Sequence, residues 1–156
     1  MPAELIDGAA VAATVRAEVA RDAAALATRG IIPGLTVVLV GDDGASAVYV
    51  KAKEKACHEA GMHGETIRMP ASTTQGELLA VVDRLNADPA IHGILVQLPL
   101  PKQIDPQAII RRIAPHKDVD GFHPVNVGKV LIGDQDAFAP CTPWGALVLM
   151  QAYNVN

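Results

Sequence analysis

The alternation of apolar and polar positions along the chain predicts helices and strands in turn. Across residues 9–28, alanines, valines and Leu26 recur at helical spacing. Asp7 is placed to cap that helix, Gly30 to end it, and Pro33 lies beyond. Residues 35–40 (LTVVLV) are a β-branched run of strand length, apolar on both faces, which suits a parallel strand covered on both sides. Gly41-Asp42-Asp43-Gly44 reads as a turn, and Ser46 as the cap of a second helix that runs to Ala60 and stops at Gly61. Residues 65–69 form a weaker strand. Thr73 or Thr74 caps a helix over 75–86, and residues 91–98 make a third strand ending in Pro99-Leu100-Pro101. Asp105-Pro106 opens a short helix to Ile113. Residues 115–140 then read as one long loop with scattered Gly, Pro, Asp and His, of a length that is usually functional in a compact domain. Thr142-Pro143 starts a last helix, proline at its first position, running towards Tyr153. Strands alternating with helices predict the α/β class, as a three-layer α/β/α domain around a short parallel sheet.

Composition narrows the function classes. A chain of 156 residues, half of them hydrophobic and 19% charged, predicts one folded domain and excludes global disorder. Aromatics make up 3% while 26 residues are alanine, so the core is built from Ala, Val, Leu and Ile. That scarcity argues against an aromatic platform for single-stranded nucleic acid. A net charge of -4 gives no basic footprint for nucleic acid or an anionic membrane. Clean apolar runs reach about six residues, far short of the roughly 20 of a membrane span. Cys57 and Cys141 stand far apart and outside any CxxC pattern, and no signal peptide is legible after Met1. These features predict a cytoplasmic protein.

Candidate chemistry begins on the second helix. On a wheel at about 100° per residue with Val48 at 0°, Tyr49, Ala52, Ala56 and Ala60 fall between roughly 40° and 120°. Cys57 and Val50 fall near 180–200°, and Lys51, Glu54, Lys55 and His58 occupy the opposite arc at about 240–340°. Lys53 falls near 140°, among the apolar residues and one turn after Tyr49. It reads either as a snorkelling lysine or as a desolvated one able to transfer protons near neutral pH. Gln97 interrupts the apolar third strand near its carboxyl end, as a core amide bonded to backbone or as a ligand contact. Ligands of open parallel sheets bind outside the carboxyl ends of the strands, so one crevice collects Tyr49, Lys53 and Gln97. Lys117-Asp118-Val119-Asp120-Gly121 fails as a calcium loop, because position five is Phe122, position six His123 and position twelve Lys129. Two solvated turn aspartates are the plain alternative. The Gly41–Gly44 turn lacks both the GxGxxG spacing and a Walker lysine, and the five histidines show no metal-ligand spacing. No metal site is predicted.

Four stretches together, VGDDGASAVYVKAKEKAC (40–57), GILVQLPLP (93–101), KDVDGFHPVNVGK (117–129) and PCTPWG (140–145), resemble the methylenetetrahydrofolate dehydrogenase/cyclohydrolase family. The likeness covers essentially the whole chain. It implies an amino-acid-dehydrogenase-like N-terminal domain and a bifunctional enzyme of folate one-carbon metabolism. Such an enzyme oxidises 5,10-methylenetetrahydrofolate with NADP and hydrolyses the methenyl product to 10-formyltetrahydrofolate. By the resemblance, Lys53 is the catalytic lysine, Tyr49 stacks on the folate ring system, Gln97 bonds Lys53 and substrate, and Asp120 holds the pterin. The surrounding stretches Tyr49, Val50, Lys51, Ala52, Lys53 and Val96, Gln97, Leu98 would line the substrate with Asp120. Family members are nearly twice as long and continue into a Rossmann-type NADP domain. The resemblance therefore implies a folate-binding catalytic domain over 1–140 and the start of an inter-domain helix over 141–156, with the cofactor-binding residues outside this chain. It implies a folate as small-molecule partner, no nucleic acid or membrane partner, and a homodimer for the full-length protein, leaving open the state of this chain. The alternatives are a non-catalytic α/β folate- or nucleotide-binding module and, less in keeping with the motifs, an unrelated dehydrogenase substrate domain of the shikimate type.

With no glycine-rich phosphate loop among these residues, the chain alone is expected to bind no NADP. Titration calorimetry should give no saturable heat; micromolar binding would put the dinucleotide site within these residues.

Overall fold

The computed structural model describes residues 5–155. In chain order its elements are α1 (Gly8–Ala27), β1 (Gly34–Val40), α2 (Gly44–Glu59), β2 (His63–Met69), α3 (Gln75–Ala87), β3 (Gly93–Val96), α4 (Pro106–Arg112), α5 (Pro124–Ile132) and α6 (Cys141–Ala152). The strands form one parallel sheet in the order β2-β1-β3. Gly34 to Val40 of β1 pair with His63 to Met69, and Leu35 to Val38 pair with Gly93 to Val96.

This order puts β1 in the middle. The first crossover, through α2, places β2 on one flank; the second, through α3, returns past β1 to the other. Crossovers between parallel strands share one hand, so two that travel in opposite directions lay their helices on opposite faces. The pleat sorts the strand residues accordingly. Val38, Val40, Ile94 and Val96 pack with Leu78, Val82 and Leu85 of α3 and Ile109 of α4. Val37, Leu39 and Leu95 pack with Val50 of α2. The expected three layers are present. On the α2 side, a Cβ on Gly64 of β2 would sit 2.8 Å from Cys57 Cβ, so the missing side chain lets helix and strand close together. Thr66 donates to Glu54 at 2.9 Å across the same contact.

Several boundaries differ from expectation for local reasons. α2 starts earlier, because Asp43 rather than Ser46 is the N-cap: its carboxylate accepts from the Ser46 N–H at 2.7 Å. β3 is four residues, not eight, although hydrogen bonds from His92 N to Gly34 O and Gln97 N to Val38 O carry the ladder one residue past each end. α6 starts at Cys141, with Pro143 third in the helix and Pro140 as N-cap. The largest difference is in the segment expected to be one loop. Residues 124–132 are helical, with His123 as cap (Nδ1 accepting from Val125 N at 3.1 Å), Pro124 at the first position and Gly133 left-handed at the end.

α1 and α6 stand apart from the two-faced core. α1 buries only Ala23, and α6 buries no residue. They contact one another, and the Asp7 N–H donates to the Tyr153 hydroxyl at 2.9 Å.

Stability is expected to follow this division. Leu78→Ala empties a fully enclosed site between α3 and the sheet and should cost about 2–5 kcal/mol in urea unfolding. Leu131→Ala, on an exposed face of α5, should stay within about 0.5 kcal/mol.

Candidate functional site

Three chain segments leave the carboxyl edge of the sheet and meet there. The first is α2, which follows β1. Its inward arc is centred on Val50 and Cys57, both buried and near 180–200° on the wheel, while Val48 and Tyr49 at the other end of the apolar span face solvent. Val48 and Tyr49 are 69% and 63% exposed. The apolar count misleads because alanines suit a solvent face as readily as an inner one. Lys53 sits at the border of the buried arc, half-buried, one turn on from Tyr49. The second segment is Gln97, one residue past β3 and followed by a cis Leu98–Pro99 peptide. The third is the turn 117–121. It runs beside β3 through a single parallel bridge between Asp118 and Ile94, with the Ile94 N–H donating to Lys117 O at 2.8 Å.

The side chains meet as follows. Lys53 Nζ donates to Gln97 Oε1 at 3.2 Å and lies 5.9 Å from the centre of the Tyr49 ring. Gln97 Nε2 donates to Leu98 O at 2.8 Å, which fixes the amide with its oxygen towards the lysine. Asp120 is half-buried, and among the described residues its carboxylate accepts no hydrogen bond. Burial pushes its carboxyl above the usual range; the Lys53 charge pulls it down and the Asp118 charge pushes it up. The arrangement offers an ammonium, an unpaired carboxylate and an open aromatic face around one crevice. A narrow apolar cleft lined by Val96, Leu98, Leu100, Ile110 and Phe122 adjoins it on the Asp120 side.

Of the expected substrate-lining residues, Tyr49, Lys53, Gln97 and Asp120 converge, and Val96 and Leu98 border the cleft. Val50 does not: it is fully buried against Val37, Leu39 and Leu95. Lys51 points outward and is exposed. Five consecutive helical residues span more than a full turn and cannot all face one crevice. Ala52 is exposed beside Tyr49.

Asp118 is not a solvated turn residue. It is 2% exposed, and its Oδ2 accepts from His123 N and Asn126 Nδ2, both at 2.8 Å. Lys117 is buried too, with Nζ donating to Leu85 O at 2.9 Å and Asp88 O at 2.7 Å at the end of α3. Gly121 closes the turn at φ +69°, and a Cβ there would collide with the Phe138 carbonyl and the backbone of Ala139 and Pro140. Cys141, which sequence reasoning left without a role, reaches the same place: its Sγ donates to Val119 O at 3.5 Å. Its thiol is pushed up by burial and then by the Asp120 charge. Among the described residues no group of three or more His, Cys, Asp and Glu is arranged to hold a metal ion.

A polar crevice at the carboxyl edge of a parallel sheet, built from a lysine, an amide and a carboxylate, defines an α/β domain of the small-molecule-binding kind. Residues 6–120 match the family described as tetrahydrofolate dehydrogenase/cyclohydrolase, catalytic domain. The chain belongs to that family. It is 57% identical over its whole length to the bifunctional protein FolD of Halalkalibacterium halodurans, covering 56% of that protein. It is 54% identical over its whole length to FolD of Moorella thermoacetica, covering 55%. Its fold matches the FolD methylenetetrahydrofolate dehydrogenase/cyclohydrolase of Campylobacter jejuni with a TM-score of 0.95 at 45% identity, over 97% of this chain and 54% of that one. The Trypanosoma brucei enzyme, solved with NADP and an inhibitor, matches with a TM-score of 0.94 at 39% identity, over 99% of this chain and 54% of that one. The chain thus spans about half the length of the curated relatives it matches.

The raised Asp120 carboxyl has a consequence for stability. A group whose folded pKa lies above its unfolded value favours folding at low pH, and that contribution is lost as pH rises through the folded value. Asp120→Asn lacks this loss. The melting temperature of Asp120→Asn relative to wild type is therefore expected to climb between about pH 4 and neutrality, read by thermal melts across that range.

Proposed function

We propose that this chain is the folate-binding catalytic part of a bifunctional methylenetetrahydrofolate dehydrogenase and methenyltetrahydrofolate cyclohydrolase acting in cytoplasmic one-carbon metabolism. In this reading residues 1–140 are the catalytic domain; the inter-domain helix expected over 141–156 is α6, Cys141–Ala152, which closes at Tyr153. The observation that carries this reading is the Lys53–Gln97 contact beside the unpaired Asp120 carboxylate and the open Tyr49 ring. Asp120 accepts the adjacent N–H donors of the pterin's aminopyrimidinone edge. Tyr49, already open to solvent, stacks on the planar heterocycle. Gln97 holds the Lys53 amine at the edge of the crevice.

Hydrolysis of the methenyl cation then needs three proton movements. Water adds to the bridging carbon and gives up one proton. The bond from that carbon to one nitrogen breaks as that nitrogen takes a proton, and the hydroxyl left on the carbon releases its own proton to solvent as the formyl C=O forms. Lys53, in its neutral form, accepts the first proton and returns it in the second step. Of the described residues, none fits the pyrophosphate of NADP. The one glycine-flanked turn at a helix start carries Asp42 and Asp43, and Asp43 already occupies the N–H of Ser46. Acidic groups there oppose an anion. NADP, in this reading, is bound by the length of the relatives that this chain does not span, and no hydride step is derived from its residues. No helix among the described residues is long and apolar enough to cross a membrane.

Calorimetric titration with 5-formyltetrahydrofolate tests the binding half. Saturable binding is expected, and Asp120→Asn should weaken it by about ten- to a hundredfold through loss of a charged hydrogen-bond partner. Absence of binding by wild type would overturn the reading. In the full-length protein, Lys53→Met should nearly abolish methenyl hydrolysis, followed by loss of methenyl absorbance. Lys53→Arg should fail as well, since guanidinium does not deprotonate. Lys55→Met, exposed and paired only with Glu59, should behave like wild type.

A further inference from the structure

The turn that carries Asp120 is anchored by a second carboxylate with no role in the chemistry above. Asp118 is enclosed, and among the described residues it forms no ion pair. A buried charge without a counterion depends on its hydrogen bonds. Asp118 has two, both on Oδ2: one from the backbone of His123 and one from the side chain of Asn126. Asn126 lies in α5 and is 2% exposed. Its Nδ2 also donates to Pro115 O at 2.8 Å. One amide thus ties the approach to the turn, the turn itself and α5 together. Two residues on from Asp118 stands Asp120, close enough that the two carboxylates interact.

We propose that Asn126 is a positioning residue for Asp120, acting through the buried Asp118 carboxylate. The proposal rests on the reading of Asp120 as the acceptor of the ligand's N–H groups. Without the Asn126 donor, Asp118 Oδ2 keeps a single backbone bond, and the turn shifts to bring that oxygen to water at the cleft that Asp118 already lines. Asp120 shifts with it, although Asn126 touches no ligand.

Two substitutions separate positioning from bulk stability. Asn126→Ala removes the donor at every pH. Asn126→Asp keeps the size but sets two carboxylates face to face; such a pair retains one proton more readily than a lone carboxylate, and that proton restores the donor. The charged and titratable groups around the pair are Asp120 on the same turn, Lys53 from α2, Cys141 from α6, His123 at the start of α5, and His116, Lys129 and Asp136 beside Asn126. Comparing the two variants at equal pH removes what these groups do to Asp120 and to the ligand in both.

The experiment titrates 5-formyltetrahydrofolate into wild type and both variants from neutral pH downward. Amide hydrogen exchange at Val119 and Gly121 is followed without ligand. At neutral pH both variants should bind about ten- to a hundredfold more weakly than wild type. As pH falls, Asn126→Asp should recover relative to Asn126→Ala. Binding by Asn126→Ala within twofold of wild type would overturn the proposal, and so would an equal defect in the two variants at every pH. If wild type itself binds no folate, the functional reading fails, and exchange alone decides the positioning. Faster exchange at Val119 and Gly121 in Asn126→Ala, reversed by acid in Asn126→Asp, supports it; unchanged exchange overturns it.

Discussion

The ladder of β1 is the member on which everything else rests. It bonds to a neighbour on both edges and is covered on both faces, so Val37 to Val40 have no free surface. A strand so enclosed can take part in chemistry only through its ends. Its neighbours are parallel to it, so all carboxyl ends lie on one side, and the segments leaving them converge there. The crevice is thus a product of strand direction. α2 leaves from β1, Gln97 from β3, and the bridge at Asp118 adds a third chain beside β3.

The crevice is polar because its groups are held by neighbours that spare their reactive ends. Gln97 commits its NH₂ to the Leu98 carbonyl and leaves the oxygen for Lys53. Asp118 absorbs the structural bonds of the acidic turn, which leaves Asp120 free of them. The lysine offsets part of what burial does to Asp120, while Asp118 works against it. The acidic turn is thus divided between one carboxylate that is satisfied and one that is available.

Most of the fold was legible in local pattern. The twofold-apolar run at 35–40, the caps at Asp7, Thr74 and Asp105, and the alternation of elements all carry through. So does the meeting of Tyr49, Lys53 and Gln97, because helix period and strand direction are enough to bring them to one edge. What was not legible depended on partners distant in sequence. The wheel gives α2 a broad apolar span, and which part of it turns inward is chosen by what β1 and β2 present. α5 hides in a stretch whose Gly and Pro read as loop punctuation, yet Pro124 and Gly133 are start and stop signals nine residues apart. Local pattern does not separate Asp118 from Asp120, and the family resemblance singles out only the second; in the structure Asp118 is enclosed and takes the bonds of His123 and Asn126.

The buried Lys117 carries a consequence for motion. Its ammonium holds the carbonyls that end α3, on the face of the sheet opposite α2. The acidic wall of the crevice is thereby fastened to the larger half of the core. Local fluctuations that fray α1 and α6, which bury almost nothing, leave that fastening intact. Opening the turn requires breaking bonds at the end of α3, so the turn belongs to the same cooperative unfolding unit as the central sheet. The crevice edge thereby shares the opening free energy of the core, whereas α1 and α6, which bury almost nothing, open at lower cost.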